Sequence, residues 1–259
     1  MLNSPGDIAF TLFGIPVYYY GIIIAFAVFV GFFISYYLYK KYYNNRNLIL
    51  DISPWLIIFG IIGARLYYCV INYSYYINKP LEVFFIRQGG LSVHGMIIAG
   101  ALALFCFSKK YKVSFFRLTD VFLCGTVLAQ SIGRWGNFFN SEAFGLPCNL
   151  PWKLYIPISH RPSEYINYEY FHPAFLYESI LDLVIFIILF SLFKKFSQKS
   201  GIITSLYLIL YAIVRIFIEQ LRLDSALNIF GIPIAQIVSA VMIVLGIFIL
   251  VKNYKICNE

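Results

Sequence analysis

Seven long apolar runs divide this chain and settle what it can fold into. They cover residues 17–38, 52–71, 91–107, 118–134, 174–193, 201–218 and 232–251. A helix rises about 1.5 Å per residue, so about 20 apolar residues span the hydrocarbon core of a bilayer. Inside that core each backbone N–H and C=O must find its partner within the protein, which a helix achieves locally. The rest of the composition agrees, since 61% of the residues are hydrophobic and only 12% charged, against about a quarter charged in ordinary globular chains. Disorder is excluded by the 20% aromatic content, because disordered chains are poor in aromatics. The spacing therefore predicts an all-α integral membrane protein with seven transmembrane helices. The 259 residues leave no room for a large soluble domain. We expect one seven-span membrane domain over residues 1–259, with a head or loop at 136–173. Residues 1–10 carry Asp7 and no Lys or Arg, so the first run reads as a retained span, not a cleaved signal.

Orientation follows from the basic residues. One set of span ends holds Lys40, Lys41, Arg46, Lys109, Lys110, Lys112, Arg117, Lys194, Lys195, Lys199, Lys252 and Lys255, which is twelve. The opposite set holds Lys79, Arg87, Arg134, Lys153, Arg161 and Arg222, which is six. Lys and Arg gather in cytoplasmic loops. This places the N-terminus and the 136–173 loop outside the cell membrane and the C-terminus inside. The same asymmetry explains the formal net charge of +8, and no basic stretch suggests nucleic acid. Cys69, Cys106, Cys124, Cys148 and Cys257 show no paired metal spacing. They read as small hydrophobes, and no metal or cofactor is expected.

Charged side chains within spans are expensive and mark function. Arg215 lies 14 residues past Gly201 and Arg65 lies 13 past residue 52. Both sit roughly 20 Å from the cytoplasmic side. Arg134 ends the fourth run, Tyr20 and His94 lie near the outer ends of the first and third, and Glu178 is one turn into the fifth. Tyr211, Arg215, Glu219 and Arg222 are spaced to share one helix face. Glu219 either bridges Arg215 and Arg222 or acts on substrate. Arg134 either meets an anion or is braced by Glu142. Two nearby arginines sharing one carboxylate leave guanidinium to spare, for which phosphate is the matching anion.

Three stretches gather polar groups at the outer ends of spans. Gly89-Gly90-Leu91-Ser92-Val93-His94-Gly95 opens the third span, where His94 is either a hydrogen-bonded interfacial residue or a titrating group. Gly133-Arg134-Trp135-Gly136-Asn137-Phe138-Phe139-Asn140-Ser141-Glu142-Ala143-Phe144-Gly145 closes the fourth. A helix cap accounts for one Asn or Gly there, but not for the whole cluster. His172-Pro173-Ala174-Phe175-Leu176-Tyr177-Glu178 opens the fifth, with Pro173 suited to a first helical turn.

Together these stretches resemble the bacterial prolipoprotein diacylglyceryl transferases, from Tyr20-Gly21 to the last span. The chain departs from the family's usual pattern at Met96, Ser141 and Phe175. The resemblance implies a seven-span enzyme of the bacterial cytoplasmic (inner) membrane. It would move a diacylglyceryl group from phosphatidylglycerol to the lipobox cysteine of a preprolipoprotein signal peptide, forming a thioether and releasing glycerol 1-phosphate. The partners so implied are phosphatidylglycerol, the signal peptide and the bilayer. Carried over by position, the resemblance assigns lipid binding to Arg134, Arg215, Asn137, Asn140 and Gly145. It assigns the reaction itself to Tyr20, His94, Glu142, Arg215 and Glu219. A substrate thiol must lose its proton to attack, and His94 or a carboxylate would take it. A rival reading, a transporter for an anionic solute, predicts paired broken helices in two related halves, which the sequence lacks. A second rival, an intramembrane protease, lacks a span serine with a suitable glycine setting and His partner.

Overall fold

The computed structural model describes residues 1–43, 47–86, 89–223, 228–229 and 231–256. Arg46, Arg87 and Cys257, counted above, lie outside the described residues. Eight α-helices run through the described residues: α1 (Tyr19–Tyr43), α2 (Leu48–Ile71), α3 (Tyr73–Tyr76), α4 (Val93–Lys110), α5 (Phe115–Phe139), α6 (Ala174–Phe196), α7 (Ile202–Glu219) and α8 (Ile234–Ile256). Seven of them, all but the four-residue α3, are long and apolar enough to cross a membrane. The seven runs thus become seven helices. Large apolar side chains such as Phe26, Phe29, Phe33, Ile187, Val244 and Phe248 are exposed along them. A helix apolar on all sides with an exposed surface of this kind suits lipid, not water.

The described residues also include three two-stranded ribbons: β1 (Ile8–Leu12) with β2 (Ile15–Tyr18), β3 (Leu154–Tyr155) with β4 (Tyr170–Phe171), and β5 (Asn228–Ile229) with β6 (Ile232–Pro233). The first is a hairpin that turns at Phe13-Gly14, both with positive φ, which matches the right-handed twist of the strands. Residues 140–173 fold over a small core of Ala143, Phe144, Leu154, Ile156, Phe171 and Phe175. Leu2 bridges to Leu154, tying the N-terminal segment to this region.

The helices fall into two compact units, residues 1–35 with 120–259, and residues 36–119. In the first, α7 packs along α6 and α8. Helix α1 meets α5 where Gly31 faces Gly125, and a Cβ on Gly31 would stand 2.9 Å from the Gly125 carbonyl oxygen. Ser35 Oγ donates to the Gly31 carbonyl within α1 at 2.9 Å and reaches the Val121 carbonyl of α5 at 3.4 Å across the same contact. Small residues permit this close approach, which drives helix association in lipid. Nearer the start of α5, Asp120 accepts hydrogen bonds from the backbone N–H of Gly201 and Thr204 and from Thr204 Oγ1, at 2.6–2.7 Å. These are orphan N–H groups at the start of α7, capped here by a carboxylate from another helix. In the second unit α2 packs along α4, with Gly63 and Gly95 in contact.

Three local expectations need correction. Helix α5 does not stop at Arg134 but continues to Phe139, so Asn137 lies on the helix and not in a cap. Gly136 is tolerated there because the Tyr20 ring fills its place, 2.7 Å from where a Cβ would be. Helix α7 ends at Glu219, so Arg222 lies beyond the face that spacing assigned it. It instead forms a backbone bridge with Gly145. Pro173 precedes the first turn of α6 instead of occupying it.

The α1–α5 contact can be tested by overpacking. Gly125→Ala should lower the melting temperature in detergent, with about 1–3 kcal/mol of strain. Gly100→Ala, where an added Cβ meets nothing within 4 Å, should not. Circular dichroism melts of the two variants provide the comparison.

Candidate active site

Within the first unit, α5, α6 and α7 bring ionised side chains together. Glu178, in the second turn of α6, is at the centre, with 1% of its side chain exposed. Arg134 Nη2 donates to Glu178 Oε1. Arg215 Nη1 and Arg222 Nη1 each stand 3.7 Å from Glu178 Oε2. Arg215 Nη2 pairs with Glu219 Oε2 at 2.6 Å. Three guanidiniums against two carboxylates leave one positive charge over among these paired groups. Arg215 Nη1 is buried and makes no hydrogen bond among the described residues. A charged donor without an acceptor is costly in a low-dielectric interior. Glu178 Oε2, 3.7 Å away, likewise makes no hydrogen bond among the described residues, so the pairing is incomplete on both sides.

Neighbouring polar groups surround it. Asp182, one turn along α6 from Glu178, is fully buried, and neither of its carboxylate oxygens has a hydrogen-bond partner among the described residues. Tyr207 donates to Gln130 Oε1 at 3.0 Å, and its ring stacks on Tyr211. Gln130 and Arg134 are one turn apart on α5, as Tyr207, Tyr211 and Arg215 are on α7.

A second group of predicted residues gathers around the end of α5. Glu142 is exposed, with Asn137 Nδ2 at 3.5 Å and Asn140 Nδ2 at 3.4 Å. Ser141 and Ala143 on either side of it have φ of 53° and 54°. That left-handed backbone costs non-glycine residues roughly 1–2 kcal/mol each, and such strain concentrates at functional sites. Tyr20 and Glu142 line a cavity of about 580 Å³ with Asp7, Tyr18, Asn140 and His160. Gly145 donates its N–H to the His172 carbonyl, and a Cβ there would stand 2.7 Å from the Leu221 carbonyl oxygen. Its lack of a side chain is thus demanded by packing of three chain segments. An apolar cavity of about 460 Å³ lies between α1, α5 and α6, lined by Ile22, Phe26, Leu128, Trp135, Leu176 and Leu183.

His94 belongs to the second unit, at the second residue of α4. It is exposed, with its ring centroid 6.2 Å from that of Tyr67.

The arginines' partners differ from those that spacing suggested. Glu142 does not brace Arg134, because Glu178 does. Glu219 pairs with Arg215 alone among the salt bridges found, and Arg222 turns to Glu178. The sequence marks Glu178 as a polar residue near the outer end of its span but gives it no role, and Asp182 goes unmarked, although two carboxylates one turn apart in an apolar run carry a strong signal. Phe175, a position where the family pattern often differs, packs against Trp135 and Phe138 with ring centroids 5.8 and 5.4 Å apart. An aromatic side chain there joins the core of the 140–173 region.

Seven apolar helices of spanning length, three of which bring arginines and carboxylates into one buried cluster, define a multi-pass membrane protein. The sequence model of the family described as prolipoprotein diacylglyceryl transferase matches residues 7–252. The phosphatidylglycerol–prolipoprotein diacylglyceryl transferase of Nostoc sp. is 46% identical over 95% of this chain and 89% of its own. That of Synechocystis sp. is 44% identical over 99% of this chain and 94% of its own. The chain belongs to the prolipoprotein diacylglyceryl transferase family.

The central role of Glu178 predicts a marked effect of removing its charge. Glu178→Gln leaves the arginines facing one another, at an expected cost of about 3–5 kcal/mol for breaking a buried pair. Thermal melts in detergent should show this loss. Arg134→Gln added to Glu178→Gln should recover part of it, since one uncompensated charge is gone.

Proposed function

We propose that this protein transfers the diacylglyceryl group of phosphatidylglycerol to a cysteine thiol of a prolipoprotein. The observation that carries this reading is the arginine cluster with its unspent buried donor, set among spans of a chain in this family. A phosphodiester lipid presents its anion at headgroup depth, where the outer ends of spans can meet it. The substrate thiolate attacks the glycerol carbon that bears the phosphate. A sulfur–carbon bond forms, the carbon–oxygen bond breaks, and its electron pair leaves on the phosphate oxygen as glycerol 1-phosphate.

Each site residue has a place in this reading. Arg134 and Arg215 hold the phosphate and neutralise charge that grows as it leaves. Glu178 and Glu219 orient those guanidiniums. Asn137, Asn140 and the Gly145 turn shape the headgroup site beside Tyr20 and Glu142. His94 takes the thiol proton, for which an imidazole is suited near neutral pH. The acceptor is the lipobox cysteine of a signal peptide, and the protein works in a bacterial cytoplasmic membrane with its site outside. The twelve-to-six division of Lys and Arg supports that orientation.

Mass analysis of purified protein with phosphatidylglycerol and a lipobox peptide tests the activity directly. Absence of the thioether product would overturn it. Lys at position 134 or 215 should restore little activity, because an ammonium lacks the two parallel donors of a guanidinium. A charged hydrogen bond lost at about 1.5–3 kcal/mol corresponds to roughly ten- to 150-fold in rate. If Arg134 served only to brace Glu178, Arg134→Gln with Glu178→Gln would instead turn over at near-native rates. His94→Gln should slow turnover at neutral pH and recover in part as pH approaches about 8.5, the pKa of an unperturbed cysteine. For orientation, a cysteine placed near Lys153 should react with an impermeant label on intact cells, and one near Lys110 should not.

A further inference from the structure

Arg65 reaches the same depth as Arg215 by residue count, and its charge alone would make it a third candidate for the lipid phosphate. Its hydrogen bonds say otherwise. Nε donates to the Val83 carbonyl at 2.9 Å, Nη1 to Gly89 and Gly90 at 2.7 and 3.1 Å, and Nη2 to Glu82 and Phe85 at 2.5 and 3.5 Å. A guanidinium has five N–H donors, and these five backbone oxygens use all of them. The side chain is 6% exposed, and its guanidinium carbon lies 5.3 Å from the Tyr76 ring centroid. No donor is left for a substrate anion.

The carbonyls it binds belong to the segment that leads into His94. Gly89 and Gly90 have φ of 88° and 73°, the left-handed region that glycine enters freely. A Cβ on Gly90 would stand 2.6 Å from Arg65 Nη1, so the glycine lets the guanidinium seat. The preceding residue of α2, Ala64, accepts the Ser92 N–H at 3.0 Å. Gly63 presses its backbone against Gly95. Three consecutive α2 residues, Gly63, Ala64 and Arg65, therefore grip the chain on both sides of His94.

We infer that Arg65 is a positioning residue for His94, fixing the start of α4 through backbone carbonyls and taking no part in lipid binding. The inference rests on the reading of His94 as the proton acceptor, but its first test does not. In full-length protein in detergent, the rate at which diethylpyrocarbonate modifies His94 is followed by peptide mass, with His160 as internal control. Arg65→Lys keeps the charge but offers three donors without the planar fork. It should change His94 modification severalfold and leave His160 unchanged. It should also lower kcat by about tenfold or more while KM for phosphatidylglycerol stays within about twofold. Arg65→Lys combined with His94→Gln should be no slower than His94→Gln alone, since the two act on one step. Gly90→Ala, which displaces the guanidinium without removing it, should repeat the pattern if Arg65→Lys fails to fold. Unchanged His94 modification, a raised KM at wild-type kcat, or multiplicative losses in the double variant would each overturn the inference. A wild-type rate for His94→Gln would overturn the proton-acceptor reading alone, and His94 modification would still decide the role of Arg65.

Discussion

Glu178 is a carboxylate buried among membrane-spanning helices and held by three arginines from two other chain segments. Neither the carboxylate nor the guanidiniums could be placed at this depth alone, because an isolated charge in a low-dielectric medium is prohibitively costly. Paired, they stand, and the pairing fixes α5, α6 and the end of α7 relative to one another. Pairing is incomplete, since one positive charge is left over among these groups and neither Arg215 Nη1 nor Glu178 Oε2 makes a hydrogen bond among the described residues. Breaking even against desolvation is the usual fate of a buried ion pair. In the proposed function the residual charge gives the cluster a use, as a receptor for phosphate.

The two buried arginine environments show how one residue type serves opposite ends. Arg134, Arg215 and Arg222 face carboxylates, and one buried donor of Arg215 makes no hydrogen bond among the described residues. Arg65 faces only backbone oxygens and is exhausted by them. In the proposed function the former is electrostatic provision for a lipid phosphate. The latter is a clasp, in which a side chain replaces the hydrogen bonds that an irregular segment cannot make for itself within the protein. Depth along a helix does not separate these cases. The count of satisfied donors does.

Packing follows the same economy of small residues throughout. Gly31 with Gly125, Gly63 with Gly95, and Gly136 under the Tyr20 ring each let backbones or rings approach where a methyl group would collide. In lipid there is no hydrophobic drive between helices, so close contact supplies the cohesion. Gly145 does comparable service outside the helices, where the chain around residue 145 meets His172 and Leu221. A glycine in a family motif can thus be fixed by packing alone.

The sequence by itself determined the seven spans, because an apolar run of that length has few other places to be. It also determined that polar groups such as Tyr20, Arg134, Glu178 and Arg215 occur in or beside those spans, since depth follows from the fixed rise of a helix. The family resemblance was legible in the motifs around His94, Arg134 and Glu219, and the comparisons bear it out. Which carboxylate pairs with which arginine was decided only by tertiary structure. Spacing joined Glu219 to Arg222 on one helix face, but α7 ends first, and Arg222 bends toward Glu178. Spacing offered Glu142 to Arg134 from the same chain segment, but a helix from 44 residues away supplies the nearer charge. Periodicity reports the neighbours along one helix. It is silent on the neighbours across two, where the arginines meet Glu178 and where α2 reaches over to clasp the chain ahead of His94.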